Sequence, residues 1–189
     1  VHSKRNLVAS SQKAYREGGR TRKPTIWVWN AADASPLKGP LVFTGCNQRW
    51  VSLLSFNTSG DLLVSVGSDD DHTLVLWDWA KGEALTHVPT QKERIFGCRF
   101  EPSPAAPNAH PHAGRLVLAG KGFARLCTTE LLSQAGVGER KGETRLALPG
   151  RERAAAQLCV GFYVQARVTL IGSASGTIHA FSLVDGALL

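Results

Sequence analysis

The stretch SVGSDDDHTLVLWDW, from Ser65 to Trp79, decides how this chain is interpreted. It places three aspartates and a histidine, Asp69 to His72, between two apolar runs, and the second run ends in Trp-Asp-Trp. Short runs rich in Val, Leu and Trp that are bounded by polar residues are typical of β-strands. The stretch therefore predicts a strand, a loop and a strand, and it raises the question of whether the loop is a metal or catalytic site or only a turn.

The same pattern continues on both sides of this stretch. Thr58-Ser-Gly-Asp61 and Lys81-Gly82-Glu83 are turn signals that separate further apolar runs. The predicted strands here are Val51–Phe56, Leu62–Val66, Thr73–Trp79 and Ala84–Val88. Four antiparallel strands in about 40 residues is the size of one β-propeller blade.

This unit recurs along the chain. Earlier strands are predicted at Leu7–Ser10, Thr25–Trp29 and Leu41–Thr44, and later ones at Ile95–Phe100, Leu116–Ala119, Phe123–Cys127, Arg145–Leu148, Gln157–Tyr163, Arg167–Ile171 and Thr177–Leu183. Surface loops are predicted at Gln12–Lys23, Ser103–Ala113 and Gln134–Glu143, and a turn or two of helix at Thr129–Ala135. The predicted fold class is all-β, with about three and a half four-stranded blades at roughly 1–45, 46–90, 91–149 and 150–189.

Two motifs carry a family resemblance. The residues SVGSDDDHTLVLWDWAKGEAL, followed after a gap by IFGCRFEP, resemble the echinoderm microtubule-associated-protein-like (EML) family of WD-repeat proteins. The resemblance implies WD40-type blades in a tandem propeller, a non-enzymatic scaffold that binds tubulin and microtubules, and a place in the cytoplasm and cytoskeleton, with the axoneme of a cilium or flagellum as one setting. It also implies other cytoskeletal or ciliary proteins as partners.

The sequence departs from that pattern in three respects. Arg125-Leu126-Cys127 stands where a Trp is common, and the Gly-His dipeptide of standard WD repeats is absent. A closed propeller has at least four blades and more often six to eight, so three and a half would leave strand edges unpaired. The chain is therefore expected to be part of a larger protein or to be completed by another chain.

Six residues are expected to order the blades rather than to do chemistry. Adjacent carboxylates on an extended loop point in different directions, and the alternating ligands and later Glu of an EF-hand are missing, so the aspartate loop is read as a turn. In WD repeats an Asp in this loop typically orders the blade through hydrogen bonds, and here that role is assigned to Asp70 or Asp71. The full structural set is Trp29, Ser65, Asp70, Asp71, Trp77 and Asp78.

Catalytic and metal-binding interpretations are weaker. His110-Pro111-His112 has no third ligand nearby, Ser65 and Ser173 have no Gly-x-Ser-x-Gly elbow, and neither Gly18-Gly19 nor Gly136-x-Gly138 fits a phosphate loop. No cofactor and no enzymatic activity are therefore expected. A propeller enzyme remains an alternative, and a bound metal or an Asp/His/Ser cluster at a central channel would favour it.

The cysteines and tryptophans are assigned mainly to the core. Cys46, Cys98, Cys127 and Cys159 form no Cys-x-x-Cys pair, and the last three lie in apolar runs, which predicts buried free thiols. Strand alternation places Trp27 with Trp29 and Trp79 with Trp77, and core packing is expected for all four. Trp50, next to Arg49, is left open as a surface anchor.

The best candidate for binding is the basic N-terminal segment. Residues 1–24 contain seven Lys and Arg but one Glu, a net charge of +6 out of +7 for the chain. Clustered cations attract acidic surfaces such as a microtubule, and the alternative is a solubilising loop. Nucleic acid is not expected because Tyr15 is the lone aromatic there, and no run is long enough for a membrane span. The expected tubulin contacts are Lys13, Arg16, Arg20, Arg22 and Lys23. A WD-repeat adaptor that does not touch tubulin is the alternative function.

Overall fold

The structure, a computed structural model, describes residues 1–42, 49–90, 92–102, 114–129 and 143–189. The chain divides into two compact units, Val1–Lys92 and Glu93–Leu189. Each unit contains two sheets of antiparallel strands, and within each of these sheets the strands pair in the order in which they follow one another, apart from a small hairpin inserted in the first sheet.

The first unit holds a three-stranded and a four-stranded sheet. The three-stranded sheet is β1 (Leu7–Gln12), β4 (Thr25–Asn30) and β5 (Pro36–Val42), and the inserted hairpin is β2 (Tyr15–Glu17) and β3 (Arg20–Arg22). The four-stranded sheet is β6 (Val51–Phe56), β7 (Leu62–Gly67), β8 (Leu74–Asp78) and β9 (Glu83–Val88).

The second unit repeats this plan. Its four-stranded sheet is β10 (Ile95–Phe100), β11 (Arg115–Gly120), β12 (Phe123–Thr128) and β13 (Glu143–Arg145). Its three-stranded sheet is β14 (Gln157–Tyr163), β15 (Val168–Ser173) and β16 (Ile178–Ser182). These meandering sheets of up to four strands confirm the predicted all-β fold class of WD40-type blades.

The core of the first unit lies between its two sheets. All six residues of β7 are buried, as expected for a strand with neighbours on both faces. Its Leu63 packs in one cluster with Val75 and Trp77 from β8, and with Ile26 and Val28 from β4. A fully buried strand thus marks the middle of this blade.

The second unit has its own apolar cluster. Val117 and Ala119 of β11 pack there with Leu126 of β12 and with Ile171 and Phe181 of the three-stranded sheet. Small residues such as Ala119 and Ala124 leave room for larger neighbours, and the cluster contains no Trp from β12.

Two sequence predictions about secondary structure were wrong. The sequence predicts the fourth strand of the third blade at Arg145–Leu148, but the corresponding strand, β13, ends at Arg145. Leu146 and Leu148 are nevertheless buried, so their alternation reports burial and not strand pairing. The segment Gln12–Lys23 was predicted as a loop, but most of it forms the β2–β3 hairpin, because Gly18-Gly19 supplies a two-residue turn at φ values of 56° and 77°.

Several predictions lie outside the described residues. They are Cys46 and the loop predicted at Ser103–Ala113, which contains His110 and His112. The helix predicted at Thr129–Ala135 is described only at Thr129, and the loop predicted at Gln134–Glu143 only at Glu143. For the strand predicted at Leu41–Thr44, β5 begins five residues earlier at Pro36, and Phe43 and Thr44 lie outside the described residues. The other strand predictions agree with the structure to within a few residues at each end.

Candidate functional site

The basic hairpin projects its charges into solvent. Lys13, Arg16, Arg20, Arg22 and Lys23 are all exposed. Arg16 pairs across the hairpin with Thr21, whereas Glu17 pairs with Arg20, so alternation puts Arg16 on one face and Arg20 on the other. The Arg22 Nε atom lies 3.1 Å from the Glu17 carboxylate. The hairpin therefore carries arginines on both faces, and Arg22 is partly neutralised by Glu17.

The base of the hairpin is fixed to the segment that precedes β6. The Ala14 N–H donates to the Arg49 carbonyl at 2.8 Å. The next residue, Trp50, exchanges two hydrogen bonds with Ser68: its N–H donates to the Ser68 hydroxyl, and the Ser68 N–H donates to its carbonyl, both at 3.0 Å. The hairpin and the start of the aspartate loop therefore meet at Arg49 and Trp50.

Trp50 is 45% exposed at this junction. An exposed Trp that follows Arg49 at the base of a basic hairpin has the composition of an interface hot spot, since Trp and Arg are both enriched there. The sequence left Trp50 open and did not select Arg49. The available signal was the Arg-Trp dipeptide directly before an apolar strand. We name the group formed by Lys13, Arg16, Arg20, Arg22, Lys23, Arg49 and Trp50 the hairpin surface.

The aspartate loop between β7 and β8 is a turn closed by Asp69. Its carboxylate accepts the N–H of Thr73 at 2.7 Å and also the Thr73 hydroxyl. The sequence prediction assigned this role to Asp70 or Asp71, whose side chains are exposed, and this assignment is corrected to Asp69. Asp69 is the second residue after the end of β7, and its side chain reaches across the turn to Thr73. Asp71 contributes only its carbonyl, which accepts the Thr90 N–H at 3.0 Å.

The two WD-position tryptophans each donate to a serine on the preceding strand of the sheet. The Trp77 indole N–H donates to the Ser65 hydroxyl at 2.9 Å, and both residues are buried. The Trp29 indole N–H donates to the Ser10 hydroxyl at 2.8 Å.

The tryptophans of the first sheet are not fully in the core. Trp27 and Trp29 were both expected there, but both are half-buried and stack on each other with ring centroids 5.8 Å apart. The opposite face of β4, with Ile26 and Val28, carries the buried residues. Trp79 is also half-buried, and its indole N–H donates to the Gly60 carbonyl.

Asp78 closes the turn between β8 and β9. Its carboxylate accepts the Lys81 N–H at 3.1 Å and lies 2.8 Å from the Lys81 ammonium. The carboxylate beside it raises the pKa of Lys81. Gly82 follows at a φ of 84°, a backbone conformation that favours glycine, and its N–H donates to the Asp78 carbonyl.

One cluster in the second unit brings together serine, carboxylate and histidine. Ser173 and Ser175 donate their hydroxyls to the buried Glu152, and His179 Nε2 lies 3.8 Å from the same carboxylate. The bonds from Ser173 and then Ser175 hold the pKa of Glu152 below its ordinary value. A nucleophilic serine would donate to a histidine base, whereas Ser173 donates to the carboxylate itself. The cluster therefore links the 3-10 turn before β14 to the connection after β15, and it does not have the serine–histidine–carboxylate sequence of hydrogen bonds found in a hydrolase triad.

The cysteines of the described part are free. Burial raises the pKa of the Cys98 thiol to about 12 and raises that of Cys127 as well, which makes both thiols unreactive near neutrality. Cys159 was predicted to be buried but is exposed. It lies on β14 where the register shifts, so strand alternation does not carry it inward.

Neither a metal cluster nor a membrane helix is found in the described ranges. No group of three or more His, Cys, Asp or Glu side chains within them has a geometry that could hold a metal ion. Likewise, none of the helices in this part of the chain has the length and apolar composition needed to cross a bilayer.

Comparison with known proteins finds similarity to two EML proteins. Echinoderm microtubule-associated protein-like 1 of Mus musculus is 30% identical over 106 residues, which are 54% of this chain and 13% of the relative. Echinoderm microtubule-associated protein-like 4 of Xenopus laevis is 28% identical over 124 residues, which are 64% of this chain and 12% of the relative. The chain is EML-like. This confirms the resemblance carried by the Trp-Asp-Trp strand and its surroundings.

Further comparisons define the reach of this likeness. Cilia- and flagella-associated protein 44 of Chlamydomonas reinhardtii is 29% identical over 126 residues, or 66% of the EML-like chain and 6% of the relative. The chain thus spans between 6% and 13% of the length of these curated relatives. No protein-family model matches the sequence. The computationally designed Ika8 protein has a similar fold, with a TM-score of 0.57 and 20% identity over 97% of this chain and 45% of the designed chain.

Proposed function

We propose that this EML-like chain is part of a non-enzymatic, microtubule-associated WD-repeat scaffold that contacts tubulin through the hairpin surface. Two of the relatives named above are microtubule-associated by name, and one is associated with cilia and flagella. The proposed location is accordingly the cytoskeleton, with the axoneme of a cilium or flagellum as one site. The observation that carries the proposal is the exposed basic hairpin fixed beside an exposed Trp50.

The mechanism is rigid display of charge. Blade sheets hold connecting segments in fixed positions, and the hydrogen bonds at Arg49 and Ser68 fix the hairpin to the sheet below it. Acidic tubulin would attract the hairpin over roughly one Debye length, about 8 Å at physiological salt. Trp50 would then supply apolar contact once the surfaces meet, because a large rigid side chain loses little entropy on binding.

Co-sedimentation of the protein with microtubules across a salt series tests the proposal. Neutralising Arg16, Arg20 and Lys23 with Gln should weaken binding about tenfold, since three rim charges at about 0.5 kcal/mol each amount to one decade in Kd. Wild-type binding should also weaken as salt rises.

The matched control neutralises three exposed cations elsewhere, Lys92, Arg99 and Arg167. An equal loss in the control would show that net charge acts without the hairpin surface. Unchanged binding of the hairpin variant would exclude the hairpin as the tubulin contact.

A second candidate function is that of a WD-repeat adaptor inside a protein complex. The likeness to the cilia- and flagella-associated relative, which covers more of this chain than the likeness to the mouse protein, favours it. Purified protein and purified tubulin distinguish the two, because an adaptor would co-sediment only when other proteins of the complex are added.

A further inference from the structure

The second unit contains an open recess of about 210 Å³ that has no part in the site described above. It lies where three connections meet: the turn after β11, the segment after β13, and the 3-10 turn Gly150–Arg153. The residues that line it are Gly122, Arg145, Leu146, Ala147, Leu148 and Arg153. Two arginines therefore border a small and otherwise largely apolar hollow.

The walls of the recess are held by backbone contacts. The Gly122 N–H donates to the Ala155 carbonyl at 2.9 Å, and the Lys121 N–H donates to the Arg94 carbonyl at 3.1 Å. Gly122 has a φ of 74°, and a Cβ placed there would come within 2.5 Å of the Arg153 carbonyl oxygen. A glycine is required at this position both by its conformation and by the close approach. The recess is therefore preformed.

The opposite wall is anchored in the core. Leu146 is 1% and Leu148 is 6% exposed, and both belong to the apolar cluster of the second unit. The Leu146 N–H also donates to the Ala124 carbonyl at 3.0 Å. Arg145 directly precedes this anchored segment, so its backbone position is set while its side chain stays exposed.

The positive charge of the recess is not neutralised within the described part of the second unit. Arg145 and Arg153 are exposed and make no ion pair there. Among the described residues of this unit, Glu93 is exposed and forms no ion pair with either arginine, and Glu101 pairs with Arg115 at 2.6 Å. The remaining acidic side chains are engaged elsewhere. Glu143 pairs with Arg125 at 2.8 Å, Glu152 is buried against Ser173 and Ser175, and Asp185 accepts the Ala187 N–H.

The sequence Arg151-Glu152-Arg153 explains how this asymmetry arises. In the 3-10 turn the central Glu152 points inward to the serines, whereas both flanking arginines are exposed. The carboxylate that stands between Arg151 and Arg153 in the sequence is thus engaged inside the fold. Lys121, which is exposed on the neighbouring turn, adds to the positive field.

We propose that this recess binds a carboxylate side chain of an acidic, extended segment of a partner protein, with Arg145 and Arg153 as the two cationic contacts. Guanidinium groups match the planar geometry of a carboxylate and can bind it through two parallel hydrogen bonds. The recess is smaller than the roughly 300–1,000 Å³ of sites for free small molecules, which suits a single side chain. None of the described residues that line it is aromatic, so these residues offer no platform for stacking a nucleobase.

This inference goes beyond the proposed function and does not depend on it, because the recess and the hairpin surface lie in different units. Acidic segments of tubulin would be one source of the ligand, but any partner with a Glu-rich extended segment has the same chemistry. A failure of the hairpin to bind microtubules leaves the recess proposal unaffected.

Fluorescence anisotropy with a short fluorescein-labelled peptide of alternating Glu and Gly tests the proposal. The double variant Arg145→Gln, Arg153→Gln should bind about tenfold more weakly than the wild-type protein, because it removes two charge-assisted contacts. The control double variant Arg99→Gln, Arg167→Gln removes the same charge from exposed positions in the same unit and should bind within about twofold of wild type. A peptide of alternating Gln and Gly should not bind.

Two further variants separate geometry from charge. The double variant Arg145→Lys, Arg153→Lys keeps the charge but loses the paired N–H donors of the guanidinium groups. Its Kd should lie about midway, on a logarithmic scale, between that of the wild-type protein and that of the Gln double variant. Gly122→Ala should also weaken binding, since the Arg153 carbonyl must move. Unchanged unfolding midpoints of the two arginine double variants would show that each still folds.

Three outcomes would overturn the proposal. They are equal weakening by the recess and control variants, full binding by the lysine variant, and a single-stranded oligonucleotide of matched charge that binds more tightly than the peptide and depends on the same two arginines. The last would identify a nucleic-acid contact in place of an acidic peptide site.

Discussion

The connection between β7 and β8 and the connection between β15 and β16 occupy equivalent places in their sheets but are closed differently. In the first, Asp69 binds Thr73, four residues further along the chain. In the second, Glu152 approaches from before β14 and binds Ser173 and Ser175, more than 20 residues away. A carboxylate orders the loop in both cases, but one comes from the loop and the other from a different connection.

The middle strands of the two four-stranded sheets also differ, here in whether a polar pair or apolar side chains fill equivalent positions. In the first unit Ser65 pairs with Val75 and Leu63 with Trp77, while in the second unit Leu118 pairs with Arg125 and Leu116 with Cys127. Leu118 and Cys127 therefore stand where Ser65 and the Trp77 indole form a buried hydrogen bond. One blade is fixed by a large side chain with a polar partner, and the next by smaller apolar packing.

The largest effect is expected for Trp77→Ala. Removing a fully buried Trp should cost about 3–5 kcal/mol in the free energy of unfolding, through lost transfer energy and a new cavity. Cys127→Ala at the equivalent position should cost about 1 kcal/mol, since far less volume is removed. Denaturant unfolding measures both, and equal costs would mean that the position, and not the size of the Trp, decides stability.

A smaller but still large effect is expected for Glu152→Ala. The change leaves the hydroxyls of the buried Ser173 and the exposed Ser175 without this acceptor, and should lower the denaturant midpoint at pH 7 more than Glu152→Gln, which keeps a hydrogen-bonding side chain. Because the pKa of Glu152 is lowered in the folded state, its carboxylate stabilises the fold above the unfolded pKa of about 4.3.

That contribution disappears as the pH falls through the folded pKa. The midpoint difference between wild type and Glu152→Gln should therefore shrink when the same unfolding experiment is run at successively lower pH below about 4.3. A difference that stayed constant into acid would show that the charge of Glu152 has no part in closing this connection.

The connection between β7 and β8, which is closed by a carboxylate of its own loop, is tested by Asp69→Ala. This change should lower the free energy of unfolding by about 1–2 kcal/mol, because it removes two hydrogen bonds to a carboxylate. Asp70→Ala is the matched control one residue away, and should fall within about 0.5 kcal/mol of wild type as an exposed substitution. Urea unfolding of the three proteins makes the comparison. A larger cost at Asp70 would return the ordering role to the residue first expected from the sequence.

The smallest effects come from the serines that accept the indole hydrogen bonds. Ser65→Ala should cost about 1 kcal/mol, since the bond to Trp77 is buried, whereas Ser10→Ala should cost about 0.5 kcal/mol or less because solvent replaces the bond to Trp29. The same denaturant measurement compares the two variants. Equal costs would contradict burial as the reason for the difference.

Strand positions were largely predictable because their signal is local. Val51–Phe56, Ile95–Phe100 and Gln157–Tyr163 were predicted with the bounds that the structure shows. The hairpin at Gly18-Gly19 was also available in the sequence and was missed, because charged residues on both sides hid a turn signal that normally lies between apolar strands. The end of β13 was placed too late because Leu146 and Leu148 alternate like a strand while lying outside one.

By itself, the sequence determined the all-β blades, their order and the EML likeness, since alternation, turn residues and the Trp-Asp-Trp motif depend only on neighbours along the chain. Only the tertiary structure decided which aspartate closes the turn, that Glu152 faces inward, that Trp50 stands beside the basic hairpin, and that Arg145 and Arg153 border one recess. These four facts depend on which connections meet at the ends of the sheets, and residues far apart in the chain meet there only after the strands have paired.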